Sequence, residues 1–204
     1  MNKLPYQYWD KLYKTGRTGW DIGYVSAPLK EYFNQVDDRS LKILIPGAGI
    51  GHEAEYLHKQ DFPNVYLLDY SAESIKNFTK RCPDYPENHL IHEDFFKHTG
   101  QYDLIVEQTF FSSIPRDQRS AYADKMHQLL KPGGKLTGLL FNHEFNFKEP
   151  PFGGTEKEYR VLFDPLFEIK KMEIAHNSIK PRAGRELFII LQKKCAFIPK
   201  NLLF

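Results

Sequence analysis

Short apolar runs alternate with polar, periodic stretches along most of the chain, and the alternation sets the expected architecture. Residues 41–46 form a brief apolar run closed by Pro46 and Gly47, as expected of a parallel strand buried on both faces. A helix is expected from about 51 to 60. Residues 64–68 read as a second strand ending at Asp69, with Ser71 placed to cap a following helix that contains Ser74 and Ile75. Residues 90–92 make a short third strand and residues 102–111 a fourth. Between 117 and 134, Tyr122, Met126, Leu129 and Leu130 recur at helical spacing until Pro132-Gly133-Gly134 breaks the pattern. Residues 135–141 give a fifth strand. After a long Pro- and Gly-rich loop, residues 167–177 and 185–194 alternate as two strands joined by a polar loop around Pro181 and Gly184. Strand–helix alternation followed by a strand pair implies an α/β fold with a mostly parallel, doubly wound sheet and an antiparallel strand near its end. No internal repeat or low-complexity tract interrupts it.

Composition narrows the setting. With 204 residues, 24.0 kDa and 41% hydrophobic content, the chain can bury one sizeable core without cross-links, so residues 1–204 are expected to form one domain. Its parts are an aromatic-rich N-terminal region (1–40), the α/β core (41–194) and a basic tail (195–204). Cys82 and Cys195 are the only cysteines and stand far apart, which suggests neither a disulfide framework nor a zinc site and points to a reducing cytoplasm. No stretch approaches the roughly 18 apolar residues of a membrane span, and the N-terminus lacks an apolar signal core. Lys, Arg, Asp and Glu are interspersed to a net charge of +2, a solvated surface unlike the footprint of a nucleic-acid binder.

Candidate chemistry starts at Gly47, Gly49 and Gly51, a GxGxG turn between the first strand and its helix. Missing side chains there let a ligand approach backbone amides and the positive end of a helix. Asp69 follows at the tip of the second strand, where a carboxylate can accept both hydroxyls of a ribose. Any adenosine cofactor would suit. No Lys-Ser or Lys-Thr follows the glycines, so the phosphate-binding lysine of a nucleotide triphosphatase is absent. A nicotinamide site would want a small residue at position 52, which is His52. A nicotinamide-binding oxidoreductase and a non-catalytic adenosine-binding module remain the readings from other classes.

With the turn Pro132-Gly133-Gly134, these features resemble the Rossmann-like class I methyltransferases that use S-adenosylmethionine. The segments WDKLYKTGRTGWDIG, PGAGIGHE, EDFF, YDLIVEQTFFSSIPRDQRSAYADKM and PPF, in this order across residues 8–194, are similar to the thiopurine and thiol/halide S-methyltransferase family. The resemblance implies a seven-stranded, mostly parallel sheet with one antiparallel C-terminal strand and helices on both faces. S-adenosyl-L-methionine is then the cofactor, with S-adenosyl-L-homocysteine as its product and no metal. It also implies that Trp9, Tyr13 and Trp20 cover the methionine end of the cofactor. Gly47 and Gly49 would meet its head group, Asp69 its ribose, and Asp94 and Phe95 its adenine. Gln108 falls where the family carries a Tyr or Arg that touches the cofactor, and Glu107 where it usually has Asp.

Methyl transfer to a soft nucleophile needs a dry, well-oriented pocket and little acid–base machinery. Candidate walls are Tyr24, Phe110, Phe111 and the Pro150-Pro151-Phe152 segment. His143 and Glu144 stand where they could take a proton, and Arg160, Arg182 and Arg185 could hold an anionic substrate. The expected acceptor is a small molecule, a thiol first, with halide, thiocyanate or chalcogen species as relatives and O- or N-methylation of a small metabolite as the alternative. Amine methylation of nucleic acid or protein is disfavoured, because the Pro-Pro-aromatic motif follows the fifth strand and the slot after the fourth reads Glu107-Gln108-Thr109-Phe110. The protein is expected to work as a monomer, without nucleic acid or membrane.

Overall fold

A computed structural model describes residues 4–194; the tail 195–204, including Cys195, lies outside the described residues. Seven strands form one sheet in the order β3-β2-β1-β4-β5-β7-β6. They are β1 (Ile43–Pro46), β2 (Val65–Asp69), β3 (Leu90–His92), β4 (Tyr102–Gln108), β5 (Leu130–Phe141), β6 (Phe167–Ile174) and β7 (Glu186–Lys193). The first five pair in parallel, and β7 runs antiparallel to both of its neighbours.

Among the described residues α2 (Ala27–Phe33), α3 (His52–Lys59), α4 (Ala72–Arg81), α5 (Arg119–Leu129) and α6 (Glu156–Phe163) cover the two faces, while α1 (Tyr6–Lys14) buries no residue in the core and lies against α4. The continuous apolar runs of the central strands supply both layers, since alternate side chains of a strand point to opposite faces. Ile43, Ile45, Leu104 and Val106 pack against Leu29 and Phe33 of α2, Ala54 and Leu57 of α3, and Phe78 of α4. Leu44 and Ile105 point the other way, to Tyr122 and Met126 of α5 and Tyr159 and Phe163 of α6. Ser71 caps α4 as expected, its Oγ accepting the Ser74 N–H at 3.2 Å.

Three expectations are corrected. The fourth strand stops at Gln108 instead of reaching 111, because Thr109 takes a left-handed φ of 61° and residues 111–113 form a 3-10 turn. The Pro132-Gly133-Gly134 turn does not end α5, which closes at Leu129; it lies inside β5, where the pairing jumps from Tyr102↔Leu130 to Leu104↔Lys135. The loop after β5 contains α6, whose start is a capping box in which Thr155 and Glu158 satisfy each other's backbone amides.

Glu107, on β4, is fully buried in the layer beneath α5. Its carboxylate accepts the Phe111 N–H at 2.8 Å and the Tyr122 hydroxyl, and so fixes the turn that follows the left-handed Thr109. Burial pushes its carboxyl up to about 7 from an ordinary 4.5, against the pull of those donors. A proton held more tightly in the folded state stabilises it below pH 4.5, and that stabilisation is lost as pH rises through about 7. The difference amounts to roughly 3 kcal/mol, or about 6–12 °C in thermal midpoint for a chain of this size. Glu107→Gln keeps the acceptor for Phe111 but cannot titrate. Its midpoint is therefore expected to gain on the wild type between pH 5 and pH 8, and parallel pH profiles of the two proteins would contradict the assignment. Asp69, Glu53 and Glu186 shift in the same sense through burial, so the difference between the proteins is the readout.

Candidate active site

A cavity of about 410 Å³ runs along the edge of the sheet formed by the carboxyl ends of the parallel strands, where ligands of open α/β sheets bind. Gly47 follows β1, Asp69 ends β2, Asp94 follows β3, Thr109 follows β4 and Phe141 ends β5; all line it. Phe141 pairs with Glu186 at the start of the antiparallel β7, so the loop before β7 returns to the same edge with Arg182 and Arg185.

At the β1–β3 end, Gly47 has φ 57°, and a Cβ there would lie 2.2 Å from the Phe110 ring, so only glycine admits that ring. Asp69 is buried and holds the turn together. Its Oδ2 accepts the Gly49 N–H and its Oδ1 the Ser71 N–H, each at 2.8 Å. Burial pushes its carboxyl up, opposed by those amides. Asp94 accepts the Phe96 N–H at 3.0 Å, and Phe95 packs edge-on to Phe110 at 5.1 Å between ring centroids.

The N-terminal segment roofs this end. Asp10 of α1 accepts hydrogen bonds from the Ser71 hydroxyl and the Glu73 N–H, a carboxylate at the positive end of α4. Trp20 packs edge-on to Trp9 at 5.9 Å and to Tyr13 at 5.8 Å. Tyr13 takes a hydrogen bond from the Trp20 side chain, and burial and the nearby Asp69 hold its phenolic proton tightly. A Cβ on Gly49 would fall 2.8 Å from the Tyr13 hydroxyl, so the turn makes room for the roof. His52, where a dinucleotide site would carry a small residue, meets Asp21 at 2.8 Å and anchors the roof to α3. Arg182 donates to the Trp20 carbonyl at 2.6 Å from the other side.

Gln108 and Tyr24 line a separate crevice of about 50 Å³ beneath the glycine turn, which Gly47, Gly49 and Thr109 also border. Gln108 Oε1 is buried there without a hydrogen-bond partner, while Tyr24 is 55% exposed. Of the other expected walls, Phe110, Pro150 and Pro151 line the large cavity. Phe111, Phe152 and His143 do not. Phe111 is buried in the core against Tyr122 and Tyr159, because the 3-10 turn swings it away from Phe110. Phe152 is tied by its backbone to Ser112 and Arg119, and His143 bridges to Gly154 outside the cavity. Glu144 and Arg160 are spent in ion pairs with Arg116 and Glu156. Phe96, the last residue of the EDFF segment, also lines the cavity, as do Tyr70, Phe141 and Phe145, which none of the quoted motifs contains.

The family model described as thiopurine S-methyltransferase matches residues 4–195. The chain belongs to the thiopurine S-methyltransferase family. It is an S-adenosylmethionine-dependent methyltransferase, and the resemblance read from its motifs holds. It is 31% identical to a probable thiol methyltransferase 2 of Arabidopsis thaliana over 87% of this chain and 81% of that one. With a thiocyanate methyltransferase 1 of Brassica oleracea the identity is 29% over the same shares. It is 24% identical to a thiopurine S-methyltransferase of Vibrio cholerae over 77% of this chain and 80% of that one. Among solved structures, a 1,6-didemethyltoxoflavin N1-methyltransferase of Burkholderia thailandensis, crystallised with S-adenosylhomocysteine, superposes with TM-score 0.73. Its identity is 18%, over 93% of this chain and 87% of that one, so it supports the fold alone. Among the described residues no group of His, Cys, Asp and Glu stands close enough to hold a metal ion, and no helix is long and apolar enough to cross a membrane.

Proposed function

We propose that this family member carries the methyl group to a small soft nucleophile, a thiol first, with thiocyanate, halide ions and selenium or tellurium species as related acceptors. It would do so as a single-domain monomer in the cytoplasm, without nucleic acid or membrane. The observation that carries the reading is the aromatic roof closed over the glycine turn and Asp69. Aromatic faces attract a cation without competing for its methyl group. S-adenosylmethionine, when bound, supplies a methyl group on a sulfonium.

The residues at the β1–β3 end suit the rest of that molecule. Asp69 accepts the Gly49 and Ser71 amides and also lines the cavity, where its carboxylate would meet the ribose hydroxyls. Asp94 and Phe95 border the place for adenine. The amide at Gly47 and the unpartnered Gln108 Oε1 offer a donor–acceptor pair to an amino-acid head group. Trp9, Tyr13 and Trp20 cover it and exclude water.

Incubation with labelled S-adenosylmethionine and a mixture of alkyl thiols, thiocyanate and iodide is expected to release volatile methylated sulfur compounds, read by headspace analysis. Methylation of phenols or amines with no sulfur product would overturn the choice of acceptor.

A further inference from the structure

We infer that Asp10 keys the aromatic roof to the ribose-binding carboxylate through Ser71, so that the rate at which the spent cofactor leaves is set from outside the cavity. This rests on the proposed donor site and adds a positioning residue to it. Helix α1 has little else to fix its place. It buries no residue in the core, and its nine residues are too few for an isolated helix to persist in water. Trp9 and Tyr13, one turn apart, line the cavity, while Asp10, rotated by about 100° from Trp9, does not. Among the described residues, the other side-chain hydrogen bond from α1 beyond the N-terminal segment runs from the Tyr8 hydroxyl to Glu149 at 3.2 Å and is exposed.

Asp10 reaches a buried junction. Its Oδ1 accepts both the Ser71 hydroxyl and, at 3.3 Å, the Glu73 N–H. The Ser71 N–H donates to one Asp69 oxygen, and the other takes the Gly49 N–H, each at 2.8 Å. Ser74 closes the ring. Its N–H donates to the Ser71 hydroxyl oxygen at 3.2 Å, and its own hydroxyl donates to the Gly49 carbonyl at 2.6 Å. Ser71 and Ser74 are fully buried, so water does not compete for these bonds. Roof, sugar-binding carboxylate and glycine turn are thus joined at one serine.

A cofactor held between Asp69 and the roof can leave only when Trp9 and Tyr13 lift, and lifting α1 breaks the Asp10–Ser71 pair. A roof that opens more easily releases its ligand faster and admits it no more slowly. A damaged site would admit it more slowly.

Trp9 and Trp20 are the only tryptophans in the chain and both stand in the roof, so tryptophan fluorescence reads its position. Stopped-flow mixing with S-adenosylhomocysteine at increasing concentration gives the association rate constant from the slope and the release rate from the intercept. Asp10→Ala should raise release at least about tenfold without lowering association. Asp10→Asn keeps the single oxygen that accepts both donors and should stay within about threefold of the wild type. In a Ser71→Ala background, where the pair is already broken, Asp10→Ala should change release by less than about threefold. Because α1 buries nothing in the core, the thermal midpoint of unliganded Asp10→Ala should lie within about 4 °C of the wild type. A smaller rise in release, a fall in association, an undiminished effect without the Ser71 hydroxyl, or a larger loss of midpoint would each overturn the inference. Failure of the wild type to bind S-adenosylhomocysteine would overturn the donor site beneath it as well.

Discussion

Asp69→Ala is expected to weaken binding of S-adenosylhomocysteine by about two to four orders of magnitude, because the two hydrogen bonds proposed from ribose to this charged acceptor would contribute about 1.5–3 kcal/mol each. The second part of the effect follows from what Asp69 already holds. Its two oxygens take the Gly49 and Ser71 amides, and removing them leaves two buried donors unpaired, each costing about 1–3 kcal/mol. The glycine turn and the start of α4 then lose their common tie. Asp69→Asn separates the two parts. It keeps the size and one acceptor oxygen, so much of the thermal stability should return while the donor remains bound at least tenfold more weakly. Calorimetric titration on both variants reads this, and wild-type affinity in Asp69→Asn would remove Asp69 from the donor site.

The second large effect is on folding and lies away from the cavity. Gly138 sits opposite Glu107 in the β4–β5 ladder and Ile189 in the β5–β7 ladder, in the middle of the sheet. A Cβ at this position would come within 2.2 Å of the Glu107 carbonyl oxygen and 2.8 Å of its carbonyl carbon. These are backbone atoms of a central strand and cannot turn away as a side chain does. Gly138→Ala must therefore push β4 and β5 apart where Glu107 organises the turn below Phe110. Overpacking in a closed core costs about 1–3 kcal/mol and more where backbone must move, so a loss of at least 6 °C in thermal midpoint is expected. Thermal unfolding followed by circular dichroism decides it, and a midpoint within 2 °C of the wild type would mean that the sheet yields more readily than its packing implies.

Much of this architecture is legible in the residues. β3 is found at Leu90–His92 as expected, and Ser71 caps α4, because both signals are local. The outcome at Phe110 and Phe111 was not. Continued alternation would have placed one on each face of a strand, but the left-handed Thr109 converts the segment into a helical turn, and that conformation is held by the buried Glu107 of β4 itself, whose carboxylate accepts the Phe111 N–H. Helix α6 hides behind a Pro- and Gly-rich approach and an apolar face whose buried members are only Tyr159 and Phe163; its capping box was the available sign. The position of Arg182 and Arg185 is set by the direction of β7, a property of sheet pairing that no local window contains.

That same strand bears on how the protein is made. Among the described strands β7 comes latest in the chain, yet it lies between β5 and β6, and β6 pairs with no other described strand. Until β7 emerges, β6 has nowhere to dock and β5 presents the bare apolar edge of Leu136, Leu139 and Leu140, the kind of surface that recruits foreign strands. The nascent chain thus carries this aggregation hazard until β7 emerges, and a message broken shortly before the codons of β7 would yield a product for the chaperones and not a partly working enzyme.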